Sequence, residues 1–83
     1  MDSDFLFKIS YASKFEGNLS IAIDYGECLK LRDPMNISNL LNLSDLNRKI
    51  GNLARANKLL SDVMYLDPGN LKAQELQRML EEK

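Results

Sequence analysis

The chain has 83 residues, 45% hydrophobic and 28% charged, with a formal net charge of −1. That balance suits one small globular domain and excludes both a disordered tail and a bulk electrostatic pull toward nucleic acid. With no histidine and one cysteine, Cys28, the chain lacks the usual general base, the commonest metal ligand and any internal disulfide.

The first predicted element opens at Asp2-Ser3-Asp4, whose short side-chain oxygens can cap a helix. Leu6, Ile9 and Ser13 then share one face. Gly17-Asn18 breaks that helix. A second helix is expected over about Leu19 to Arg32, with Ala22, Tyr25, Gly26 and Leu29 on one stripe. Asp33-Pro34 ends it. The third runs from about Ile37 to Ile50, with Leu40, Leu43, Leu46 and Ile50 at helical spacing. The fourth covers about Leu53 to Leu66 and turns Ala56, Leu59, Leu60, Val63 and Leu66 inward. The fifth, Leu71 to Glu82, sets Leu71, Leu76, Met79 and Leu80 on one side, and Glu81-Glu82-Lys83 reads as a frayed charged end. Nothing alternates with the period of a strand, so the fold class is all-α in a single domain.

Residues 4–37 slide over 38–71 without a gap. Nine of the 34 pairs are identical: Leu6/Leu40, Ser10/Ser44, Gly17/Gly51, Asn18/Asn52, Leu19/Leu53, Ala22/Ala56, Asp33/Asp67, Pro34/Pro68 and Asn36/Asn70. Small residues at 10/44 and 22/56 let antiparallel helices approach. Glycine at 17/51 supplies a positive φ between them, and proline at 34/68 stops each hairpin.

A 34-residue helix–turn–helix unit of this pattern resembles the tetratricopeptide repeat (TPR) family. The resemblance implies two antiparallel hairpins, 4–37 and 38–71, with a capping helix over 71–82, wound as a right-handed α-solenoid. The second copy fits better than the first. In the first, Gly26 stands where Leu60 does and Lys30 where Met64 does, so that pair is expected either to pack more loosely or to borrow apolar surface from elsewhere.

In the family, the first helix of each pair lines a concave groove. The positions carried over here are Asp4, Phe7, Tyr11, Lys14 and Phe15 from the first helix, Ser38, Leu41, Asn42, Asp45, Arg48 and Lys49 from the third, and Lys72, Glu75 and Met79 from the fifth. Helical spacing independently places Phe7, Tyr11 and Lys14 on one stripe, and Leu41, Asp45 and Arg48 on another. Lys14, Arg48 and Lys49 either hold a partner's carboxylate or stay solvated at helix ends, where cations favour the dipole. One subclass of the family clamps a peptide C-terminal carboxylate. Here Asn42 and Lys72 match that clamp, but Phe7, Tyr11 and Leu76 occupy its other positions, so weak or no binding to an acidic tail peptide is expected.

Phe5, Phe7, Tyr11 and Phe15 crowd the first helix, either thickening a small core or covering a partner. Cys28, without a histidine to activate it, reads as a small buried hydrophobe. The isolated glycines make no phosphate loop. No catalytic residue, metal site or cofactor is therefore expected, and the chain reads as a non-enzyme. The leading expectation is a protein-interaction module, an adaptor or small assembly chaperone holding a peptide or helix of a protein partner. The alternative is self-association, as a homodimer or an end-to-end stack, through Phe5 and Phe15 at one end and Leu76, Met79 and Leu80 at the other. A lone thiol suits a reducing compartment, so a cytoplasmic location is expected. No apolar run approaches membrane-spanning length, and Asp2 and Asp4 contradict a secretory signal peptide.

Overall fold

The computed structural model describes residues 3–82, and within them the chain is five α-helices with no strand. They are α1 (Ser3–Phe15), α2 (Leu19–Arg32), α3 (Ile37–Lys49), α4 (Leu53–Leu66) and α5 (Leu71–Glu81). The expected cap at Asp2 and the charged end at Lys83 lie outside the described residues. The helices pack in adjacent pairs, α1 on α2 and α3 on α4. Helix α3 also meets α2 and α1, and α5 meets α4 and α3.

The turns explain the pairing. At the end of α1, Gly17 N–H donates to Lys14 O and Asn18 N–H to Ser13 O; at the end of α3, Gly51 donates to Arg48 O and Asn52 to Asn47 O. This is the two-bond glycine motif that satisfies the last carbonyls of a helix. It requires a left-handed residue, and Gly17 and Gly51 have φ of 82° and 84°. An added Cβ at Gly51 would meet nothing within 4 Å, so the cost of a side chain there is confined to the backbone. Gly51→Ala should lose about 1 kcal/mol in urea unfolding. Gly69→Ala, also open around its Cβ and without a positive φ, should stay within about 0.5 kcal/mol of wild type.

The longer connections work differently. Asn36 accepts from Asn39 N–H at 3.0 Å and donates to Asp33 Oδ2 at 3.3 Å. Asn70 accepts from Ala73 N–H at 2.8 Å and donates to Asp67 Oδ2 at 3.2 Å. Each asparagine thus caps the next helix while its amide ties the cap to the aspartate before the proline.

The core is the inner face of α2, α3, α4 and α5: Ala22, Leu29, Leu40, Leu43, Leu46, Ala56, Leu59, Leu60, Val63, Ala73 and Leu76, with Leu6 from α1. Close helix approach is sealed by polar bonds. Ser10 Oγ donates to Ala22 O at 2.7 Å and Ser44 Oγ to Ala56 O at 2.9 Å. Ser10 lies opposite Ala22 while Leu6 lies beside Cys28 and Leu31, so α1 and α2 run antiparallel.

Four expectations change, and one alternative is decided. At Gly26 the first pair borrows apolar surface from elsewhere, because Leu43 of α3 fills the space. A Cβ at Gly26 would lie 2.6 Å from Leu43 Cδ2, and Asn39 Nδ2 donates to Gly26 O at 2.9 Å. Cys28 is exposed: Ala22, Gly26 and Leu29 define the inner stripe, and Cys28 sits roughly 100° round the helix from Leu29. Ile50 is the C-cap of α3, not a further turn, and is 51% exposed. Leu71 is 78% exposed, since it lies roughly 200° from the buried Ala73. Leu76 is buried in the core and not on an open end face.

Candidate functional site

Helices α1, α3 and α5 leave a groove of about 220 Å³ lined by Phe7, Tyr11, Lys14, Ser38, Leu41, Asn42, Asp45 and Lys72. Its aromatic wall comes from α1. The rings of Phe7 and Tyr11 stack at 5.6 Å between centroids, and Phe15 meets Tyr11 edge-on at 4.9 Å. These rings follow i, i+4, i+8 along one helix face, which is what brings them together. Tyr11 is 41% exposed and Phe15 more so. The α1 aromatics therefore do not thicken the core; Phe7 and Tyr11 face the groove.

The opposite wall is α3. Leu41 is half-buried and Asn42 is buried. Asn42 Nδ2 donates to Ser10 Oγ at 2.8 Å, and the Ser10 hydroxyl in turn donates a hydrogen bond to Ala22 O. A chain of buried hydrogen bonds thus runs from α3 through α1 to α2. The donor side of Asn42 is engaged inside the fold, while its Oδ1 has no protein partner.

At one end of the groove Asp45 gathers two cations. Arg48 donates to Asp45 Oδ1 from Nη2 at 2.7 Å and from Nε at 3.2 Å; Lys14 Nζ lies 3.3 Å from Oδ2. Lys14 also stands 4.7 Å over the Tyr11 ring, a cation–π contact that joins the ionic end to the aromatic wall. Lys14 and Arg48, each in the last turn of its helix, hold a carboxylate of their own chain. Lys49 is exposed and does not line the groove. Arg48 reaches the site only through Asp45. Lys72 contributes from the first turn of α5.

Burial alone would raise the Asp45 pKa, but the hydrogen bond from Arg48 and the charge of Lys14 outweigh it and hold the carboxyl below its ordinary 3.8. The folded-state value is therefore lower than the unfolded one. The resulting stabilisation is complete above the unfolded pKa and disappears as pH falls through the folded pKa. Wild type should exceed Asp45→Asn in stability at neutral pH by about 1 kcal/mol. Urea titrations at successively lower pH should show that gap closing once the pH drops below 3.8.

Leu6, Cys28, Leu31 and Arg32 of the first two helices line an open, mostly apolar pocket of about 340 Å³. The apparent inwardness of Cys28 hid it at the level of sequence. Among the described residues no helix is long and apolar enough to cross a membrane, and no three His, Cys, Asp or Glu side chains gather as a metal set.

No family model matches the chain, and no curated protein matches it either. The functional reading rests on the geometry and on the sequence pattern.

Proposed function

We propose that this chain is a non-catalytic interaction module of the TPR type that holds a segment of a partner polypeptide in the groove between α1, α3 and α5. Residues 4–37 and 38–71 are its two repeats, wound as a right-handed solenoid, with 71–82 as the capping helix. Recurrence at 34 residues supports the repeat reading: the glycine turns at 17 and 51, the serine bonds at 10 and 44, and the asparagine caps at 36 and 70 fall in register.

The observation that carries the binding reading is the stacked Phe7–Tyr11 pair facing Leu41 across an open groove. Half-exposed rings on rigid helices are the anchors from which peptide-binding surfaces draw their energy, at little cost in side-chain entropy. Affinity capture with wild type and with Tyr11→Ala tests it. A partner held by the first and lost by the second, with at least tenfold weaker affinity in calorimetry, is expected. A partner that binds both equally would place the interaction elsewhere.

Self-association is the second reading, favoured by the mostly apolar pocket at Leu6, Cys28 and Leu31. Sedimentation at rising concentration decides it, and a constant monomer removes it.

A further inference from the structure

Asp45 is the one carboxylate among the groove-lining residues, and both of its oxygens are already engaged. Oδ1 receives Nη2 and Nε of Arg48, and Oδ2 faces Lys14 Nζ at 3.3 Å. Its side chain is only 18% exposed. Of the cations at this end, Lys14 is further immobilised against Tyr11. We propose that Asp45 sets the specificity of the groove: it occupies, from within the chain, the place between Lys14 and Arg48 that an acidic group of the partner would take. The segment that fits presents aromatic or aliphatic side chains to Tyr11 and Leu41 and an uncharged residue to the ionic end. This rests on the groove reading above and adds to it the chemistry of the partner.

The physical reason is rejection, not attraction. An incoming carboxylate would lose water and meet like charge at Asp45, which already takes one hydrogen bond from Lys14 and two from Arg48. Replacing Asp45 by asparagine keeps the size of the side chain, removes its charge and leaves two cations side by side. The same end should then attract an acid.

The test is selection from a random dodecapeptide display library against wild type, Asp45→Asn, and Asp45→Asn/Arg48→Gln, with Tyr11→Ala protein as the counter-selection. Wild type should enrich aromatic and aliphatic peptides with no Asp or Glu at a fixed spacing from the aromatic residue. Asp45→Asn should enrich peptides that gain such an acid, and those peptides should bind wild type at least tenfold more weakly. The double variant should lose the acidic preference again. An acid at fixed spacing among wild-type peptides overturns the inference while the groove reading stands, and does so whether or not Asp45→Asn folds. Identical neutral preferences in wild type and a folded Asp45→Asn also overturn it. No enrichment over the Tyr11→Ala protein overturns the groove reading and this inference with it.

Discussion

Leu43→Ala should cost about 3–4 kcal/mol and lower the melting temperature by more than 12 °C. Leu43 is fully buried in the core, and it is also the side chain that fills the gap left by Gly26 on α2. Truncation removes the transfer energy of three carbons and leaves a void that no neighbour can close, because position 26 has no side chain to move in. A chain of this size has a total stability of about 4–12 kcal/mol, so the loss is a large share of the total. Leu71→Ala is the control. Leu71 is a leucine of the same size on the surface, and its loss should stay within about 0.5 kcal/mol. Chemical denaturation of the three proteins, with equal denaturant slopes, checks the result.

Gly26→Leu should be the next most damaging change, by about 2–3 kcal/mol, for the complementary reason. Even the first carbon of a side chain there would collide with Leu43 Cδ2 and press on Leu43 Cγ at 3.0 Å. The glycine also accepts from Asn39 Nδ2 through its carbonyl, so α2 has little freedom to withdraw. Position 60, 34 residues after Gly26, is a buried leucine, and position 77, 34 residues after Leu43, is an exposed glutamine. The double variant Gly26→Leu/Leu43→Ala should therefore recover stability, with a favourable coupling of about 1–2 kcal/mol relative to the sum of the single losses. Additive losses would mean that Leu43 is not what fills position 26.

These two residues also mark where the sequence stops being legible. The five helices, the asparagine caps and the glycine turns are local matters. Asn36, Asn70, Gly17 and Gly51 act on backbone within five residues of themselves, so spacing alone reveals them. The partner of Gly26 lies 17 positions away on another helix, and a missing side chain reads as a gap until the neighbour that enters it is known. Ser10 and Ser44 were legible as small residues. Their hydroxyl bonds to Ala22 and Ala56 depend on how closely the helices approach. The apolar character of Cys28 and Leu71 pointed inward, but their angular position on the helix decides exposure.

The groove divides the same way. Spacing along α1 placed Phe7, Tyr11 and Lys14 on one stripe, and they do line one surface. The charge state of that surface was not legible. Lys14 and Asp45 are 31 positions apart, and only folding turns two candidate cations and a candidate acid into one ion-paired cluster. That cluster is the ground for proposing a partner segment that is uncharged at this end of the groove.

The central claim is that a partner polypeptide lies along α1, α3 and α5. Backbone amide NMR of the labelled chain, titrated with the minimal segment of a captured partner, tests it most directly. The largest shift changes should fall on Phe7, Tyr11, Ser38 and Leu41, with α2 and α4 little affected. Changes concentrated on Ile21, Leu31 and Tyr65, with the groove residues silent, would contradict the account.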